Sequence, residues 1–239
     1  MAIIRKSRKQ QPVHVPDDEN VITRLITLLL DVGIDGAGPM PPAAELGHRA
    51  FVATGGREQA IARVARRGLV KSGVSGFATG MGGFVTMPLA LPTNVAAFYL
   101  AATRTVAAIA HLRGYNVDDP AVRTAILLTL VGSDATDVLT KAGMKTPKGA
   151  ATGVALSSLP PAALMMVNKA IGFRLVRGLG EKAAAQLGRA VPLAGGAIGA
   201  TLDTVMMKTI ATHAMKEFPA LPMVGPGDHD RPRVGSPAV

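Results

Sequence analysis

The sequence predicts an all-α protein, a single helical-bundle-like domain with long apolar helices rich in alanine and glycine. No stretch alternates convincingly with the two-residue period of a half-buried strand, whereas the helical period recurs along the chain. Hydrophobic residues make up 48% of the 239 residues, although only six Phe, two Tyr and no Trp occur. Packing must therefore come from small and flexible side chains, which suit helices that approach each other closely.

The helical domain is predicted over residues 17–218. A basic arm with two prolines precedes it (1–16), and a tail rich in proline and glycine follows it (219–239). Both flanking segments are expected to be disordered because they cannot bury enough apolar surface to offset the entropy of ordering.

Capping and glycine signals divide the domain into helices. Asp118-Asp119-Pro120 marks a helix start, because a carboxylate can cap free N–H groups and proline loses no helical hydrogen bond there. The glycines between Gly73 and Gly83 predict a break in the chain before the next helix. The predicted helices run over 17–31, over 43–71 with an interruption at Gly55-Gly56, from Pro92 to Arg113, from Pro120 to Gly132, from Ser133 to Lys141, over 168–186 and from Pro192 to about Phe218.

A long uncharged segment, Ser72–Thr103, contains no Asp, Glu, Lys, Arg or His. A membrane-spanning helix needs about 20 predominantly apolar residues, and Gly83–Thr103 has that length. Pro88 and Pro92 weaken it as an inserting segment. The sequence favours a core helix preceded by a lipid-touching glycine-rich loop, with membrane insertion as the alternative.

The charge of the chain is strongly basic, with 26 Lys and Arg against 16 Asp and Glu and a formal net charge of +10. No acidic residue occurs between Glu58 and Asp118. A cationic helix directly before apolar residues is expected to contact anionic lipid, with an ordinary solvated helix face as the alternative. Nucleic acid is disfavoured because stacking aromatics are scarce. The candidate membrane-surface residues are Arg63, Arg66, Arg67, Lys71, Phe77, Met81 and Phe84.

Catalytic, cofactor and metal signatures are weak, and the sequence favours a protein with no enzymatic activity, no cofactor and no metal. The chain has no Cys, and it lacks both a phosphate-binding loop and a dinucleotide fingerprint. His111 precedes Asp118 and Asp119, and a His–carboxylate pair can orient a general base. Asp119 is nevertheless expected to serve as a helix cap, which favours a structural role.

Asp203 lies within a predicted apolar helix and needs a partner if it is buried. Arg104 and Arg123 are the candidate cations. The alternative function is a soluble helical enzyme or small-molecule binder, whose pocket would contain Asn94, Arg104, His111 and Asp203.

Five features taken together resemble a known family. They are the glycine-rich segment 76–83, the Leu91-Pro92 helix start, the helix through Arg104, the turn Gly114-Tyr115-Asn116-Val117-Asp118-Asp119-Pro120 followed by Arg123, and the segment from Val191-Pro192-Leu193 to Asp203. Over roughly residues 45–218 the chain resembles the EcsC family of bacterial proteins, and the Gly-Tyr-x-x-Asp-Asp-Pro turn is the most specific piece. The family takes its name from a gene beside an ABC transporter operon. The resemblance implies a helical accessory protein, makes membrane association an expectation and carries over no catalytic residue.

The expected location is the cytoplasmic face of the membrane, with peripheral attachment. The expected partners are an anionic membrane surface and, secondarily, a membrane transporter complex, with no specific nucleic acid. Residues 1–10 carry four cations but no apolar run follows them, so export through a signal peptide is not expected.

Overall fold

The computed structural model of the chain describes part of its length. It describes residues 18–81, 83–132, 135, 139, 160–187 and 192–221. Side chains are described over 22–77, 96–132, 135, 139, 160–175, 197 and 199–221. The predicted arm, the tail beyond Leu221 and most of the predicted helix from Ser133 to Lys141 lie outside the described residues.

The described elements are helices, which confirms the predicted all-α class. They are α1 (Asp18–Thr27), which continues as a π-helical segment (Leu28–Ile34), α2 (Ala43–Thr54), α3 (Arg57–Met81), α4 (Gly83–Leu112), α5 (Pro120–Val131), α6 (Pro161–Leu187) and α7 (Pro192–Glu217). Extended pairing within this part of the chain is limited to an isolated bridge between Ala37 and Met40.

The local start and stop signals are confirmed at α2 and α5. Asp119 caps α5, since its Oδ1 accepts a hydrogen bond from the Ala121 N–H at 2.7 Å. Gly132, with φ of 59°, follows the last residue of α5. Gly55 ends α2 with φ of 71°, a left-handed conformation that glycine adopts without steric cost.

A helix boundary lies within the predicted glycine-rich break, but the predicted helix end at Lys71 and the predicted start at Pro92 are wrong. Helix α3 continues to Met81, and α4 begins at Gly83, so both Pro88 and Pro92 lie inside it. A glycine costs about 1 kcal/mol within a helix, but it also lets a second backbone come into direct contact. At Gly76 this contact is made with the backbone of α7. Helix propensity, which describes an isolated helix, does not include it.

Helix α4 is the central element of the domain. The consecutive residues 105–110 are all buried, so this part of the helix is surrounded on every side. Helices α2, α3, α5 and α7 and the π-helical segment all pack against α4. Its alanines keep the helix narrow, which allows several neighbours to pack around it at once.

Helices α3 and α7 pack along an antiparallel seam of small residues. A Cβ on Gly76 would lie 2.7 Å from the Gly199 carbonyl oxygen, and a Cβ on Gly199 would lie 2.6 Å from the Gly76 carbonyl oxygen. Farther along, Gly73 faces Thr204 and Gly68 faces Met207. The two backbones therefore touch at the glycine pair.

Candidate functional site

The outward side of α3 carries exposed apolar residues beside exposed cations. Val70, Val74 and Phe77 are 60%, 65% and 43% exposed, and their spacing of four and three residues puts them on one stripe. Arg66, Arg67 and Lys71 are exposed on the same helix. We call these six residues the α3 surface.

The cations of the α3 surface are not neutralised by neighbouring acids. In the part of the chain that the structure describes, no carboxylate forms an ion pair with any of the three. Glu58, the acid on α3, binds Arg113 at 2.8 Å instead. The α3 surface therefore presents a positive potential next to exposed apolar groups, a combination suited to an anionic and partly apolar partner.

The other candidate membrane-surface residues are placed differently. Arg63 is half-buried, and its Nε has no hydrogen-bond partner among the described residues. The side chains of Met81 and Phe84 lie outside the described residues. Within the described residues, no helix combines the length and the hydropathy that a membrane span requires.

A second candidate site is a cavity beside the turn that follows α4. It has a volume of about 520 Å³ and lies between the segments 34–44 and 111–118. Asp35, His111, Asn116 and Asp118 contribute its polar lining. Its apolar lining comes chiefly from Ile34, Pro42, Ala44, Tyr115 and Val117. We call it the turn cavity.

Two arginines hold the 34–44 wall of the turn cavity. Arg104 donates hydrogen bonds to the carbonyl oxygens of Val32 at 3.2 Å and Pro41 at 2.6 Å. Arg123 binds the carboxylate of Asp35 with both terminal nitrogens, at 2.7 and 2.8 Å. A two-point contact from a planar guanidinium fixes orientation as well as distance.

The 111–118 wall is built by the end of α4 and the turn that follows it. Gly114 has φ of 95°, which favours glycine, and the Tyr115 N–H donates back to the Ala110 carbonyl at 3.1 Å. The side chain of Asn116 accepts a hydrogen bond from the Asp118 N–H at 3.1 Å. The Tyr115 ring is buried and packs edge-to-face on Phe218, with centroids 5.1 Å apart.

Two ionisable groups of the turn cavity, His111 and Asp35, have lowered pKa values. Burial lowers the pKa of His111, the charge of His48 lowers it further, and Asp118 opposes the shift. The hydrogen bonds from Arg123 lower the pKa of Asp35, while its partial burial opposes them. At neutral pH the cavity therefore contains a neutral His111 imidazole and an ionised Asp35 carboxylate.

The lowered pKa of His111 predicts acid destabilisation in a defined range. Neutral His111 contributes its full stabilisation above the ordinary histidine pKa of 6.5, and this is lost as pH falls through the lower folded-state value. Urea unfolding at about pH 8 and about pH 5 should show a smaller pH effect for His111→Gln than for the unaltered chain. The exposed His48→Gln is the matched control and should keep most of the effect. Equal pH effects in the two variants would show that His111 is not the titrating group.

The structure brings only some of the predicted residues together. His111 and Asp118 line the same cavity, while Asp119 caps α5, as predicted. Asp203, which is 7% exposed, lies at the glycine seam with its Oδ2 2.7 Å from the position of a Cβ on Gly76.

The alternative pocket of four polar residues stays a prediction, because only three of its side chains are described. Arg104 and Arg123 bind the 32–41 segment, so neither is the partner predicted for Asp203. Only His111 of the four lines the turn cavity, and the side chain of Asn94 lies outside the described residues.

Sequence reasoning missed the 34–44 wall of the cavity. Asp35 and Pro42 lie in a stretch that reads as a turn-rich break. Gly36, with φ of 82°, faces Met40 and Pro41 so closely that no Cβ fits. The pattern of glycine and proline predicts a tight loop, but it does not predict which helices that loop contacts.

The packed helices and the turn between α4 and α5 define the chain as an all-α protein whose candidate sites are surfaces and a cavity. Residues 55–219, more than half of the chain, match the family model described as the EcsC protein family. The chain therefore belongs to the EcsC family. No curated protein and no solved structure matches it. The matched range includes the α3 surface and the 111–118 wall, whereas the 34–44 wall precedes it.

Proposed function

We propose that this chain is a non-enzymatic helical protein that attaches peripherally to the anionic cytoplasmic face of a bacterial membrane through the α3 surface. The observation that carries the proposal is the exposure of Val70, Val74 and Phe77 on one stripe beside unneutralised cations.

The apolar residues of the α3 surface support an interfacial role. Each large aliphatic or aromatic side chain gains about 1.5–3 kcal/mol when it moves fully out of water, and partial insertion recovers part of this. Val74 and Phe77 lie toward the end of α3, beyond the cations. Insertion of this end would leave the cations near the headgroups.

The cations of the α3 surface add an electrostatic contribution. Each Arg or Lys near an anionic membrane contributes about 1 kcal/mol at most, so Arg66, Arg67 and Lys71 together contribute roughly 3 kcal/mol. That corresponds to a factor of about 100 in partitioning. Screening reduces the contribution as salt rises, because the Debye length is only about 8 Å at physiological ionic strength.

Removal of the three charges should strongly weaken binding to anionic vesicles. Arg66→Gln/Arg67→Gln/Lys71→Gln is expected to weaken flotation with phosphatidylglycerol-containing vesicles by up to about 100-fold. Val74→Ser/Phe77→Ser should weaken binding at all salt concentrations, since it removes the apolar part. A matched control with the same loss of charge outside α3 is Arg24→Gln/Arg49→Gln/Lys169→Gln, which should bind nearly as the unaltered chain does.

Two outcomes contradict the proposal: the unaltered chain does not float with anionic vesicles, or both triple variants lose binding equally. Binding to native membranes but not to protein-free vesicles would favour docking on a membrane protein complex such as a transporter. The exposed Met165, Met166 and Phe173 on α6 support that second candidate, because flexible methionine-rich surfaces suit protein partners.

A further inference from the structure

We infer that the turn cavity is a binding site for a small organic cation, an aliphatic amine whose ammonium group meets Asp118 and whose carbon chain lies on the apolar lining. The site is separate from the α3 surface and does not depend on membrane attachment. Its volume of about 520 Å³ lies within the range of small-molecule pockets.

The charge of the lining determines the class of ligand. Asp35 and Asp118 line the cavity, and no Lys or Arg is among its lining residues. In a chain with 26 Lys and Arg, a cavity lined by carboxylates stands apart from the positive surface. Because Arg123 pairs with Asp35, the unpaired carboxylate of the lining is that of Asp118, which favours a cation over a phosphate or a carboxylate.

The neighbouring arginines leave one of the two carboxylates for a ligand. Arg123 occupies both oxygens of Asp35, and Arg104 is engaged by backbone carbonyls. No hydrogen bond or ion pair within the described residues reaches the carboxylate of Asp118, whose N–H is held by Asn116. Asp118 thus has a fixed backbone position and a free acceptor.

The remaining lining suits an apolar body with a polar head. Pro42 and Ala44 supply accessible apolar surface, and neutral His111 supplies a hydrogen-bonding group that does not repel a cation. Tyr115 is only 4% exposed, and its hydroxyl oxygen has no hydrogen-bond partner in the described structure. A buried hydroxyl normally has a partner, so an amine that reaches it would supply one.

A metal ion is a poorer fit than an amine. Within the described residues, no group of three or more His, Asp and Glu side chains could hold a metal ion. A single available carboxylate beside a neutral imidazole offers too few ligands for a divalent cation, which takes six or more oxygens when it is calcium. One ammonium group, in contrast, needs only two or three acceptors.

The test titrates the isotope-labelled full-length chain with hexylamine and follows the amide resonances. Its neutral and anionic counterparts, 1-hexanol and hexanoate, have the same carbon chain. We expect millimolar binding of hexylamine, with shifts confined to residues 34–44 and 111–118, and at least roughly tenfold weaker binding of the other two compounds. If 1-hexanol binds as tightly as hexylamine, the site does not select for positive charge. If the amide resonances that shift lie outside residues 34–44 and 111–118, hexylamine does not bind in the turn cavity.

A charge-removing variant locates the ammonium group. Asp118→Asn should weaken hexylamine binding by roughly tenfold, while leaving the dispersion of the spectrum intact, because Asp118 is exposed. Asp31→Asn removes the same charge from a nearby residue that does not line the cavity, and it should change the affinity by less than about twofold. Unchanged binding by Asp118→Asn, or an equal loss in both variants, would contradict the proposal. Vesicle flotation of the same two variants tests the α3 surface independently of amine binding.

Discussion

Replacing Gly199 with alanine should lower the free energy of unfolding by about 3 kcal/mol, because the added methyl group would meet a backbone atom that cannot move independently. The new Cβ would lie 2.6 Å from the Gly76 carbonyl oxygen. Helices α3 and α7 would have to separate along their whole seam to relieve this contact. Gly76→Ala should cost a similar amount, since its Cβ would meet both the Gly199 carbonyl oxygen and the Asp203 carboxylate at 2.7 Å.

The matched control for the seam is Gly73→Ala on the same helix. Its Cβ would lie 2.9 Å from the Thr204 Oγ1, the end of a side chain that can rotate away. Alanine also gains about 1 kcal/mol of helix propensity over glycine, so the net change should be within about 1 kcal/mol of zero. Urea unfolding of the three variants measures the difference. Similar stability for Gly199→Ala and Gly73→Ala would show that the backbones do not touch.

Replacing Arg104 with methionine should destabilise the protein by about 3 kcal/mol, because two charge-assisted hydrogen bonds to Val32 and Pro41 are lost. The Val32 carbonyl lies in the π-helical segment after α1, and the Pro41 carbonyl lies in the loop before α2, so Arg104 connects the two. Burial lowers the pKa of the Arg104 guanidinium, in keeping with its partly enclosed position. Methionine keeps most of the packing volume, so the loss reports the polar contacts rather than a cavity.

Arg104→Lys distinguishes charge from geometry. A single ammonium group cannot span both carbonyls as a guanidinium does, so lysine should recover less than half of the lost stability. Urea unfolding gives the stability, and the amide resonances of residues 34–44 report whether the wall loosens. Wild-type stability in Arg104→Met would mean that the two hydrogen bonds contribute nothing net.

The elements most readily predicted were those with local chemical signals. Asp119 caps the start of α5 because its carboxylate can accept a hydrogen bond from a free N–H group. Gly55 and Gly132 end helices because glycine can adopt a positive φ there. The end of α3 and the start of α4 were misplaced because glycine and proline propensities describe an isolated chain. At the end of α3, contact with α7 at Gly76 outweighs the low helix propensity of glycine.

The two candidate sites also differ in how much of each could be predicted from local sequence. The α3 surface was predicted only in part: Arg66, Arg67 and Lys71 lie in the predicted helix, whereas Phe77 was expected in a glycine-rich break and the stripe with Val70 and Val74 was not predicted. Only one wall of the turn cavity could be predicted from the sequence. The 111–118 turn has a recognisable motif, whereas no pattern around Asp35 indicates that it lines a cavity. The Arg123 that binds Asp35 is 88 positions away along the chain.

The sequence by itself determined the helical class, the family, the basic charge and the positions of the caps, since each depends on residue type and short-range spacing. Only the tertiary structure decided which helices touch at Gly76 and Gly199, which carbonyls bind Arg104, and which carboxylate Arg123 occupies. These contacts join residues far apart in the chain, so they depend on how the helices pack around α4. The same packing leaves Asp118 available at the turn cavity and turns the cations of α3 outward.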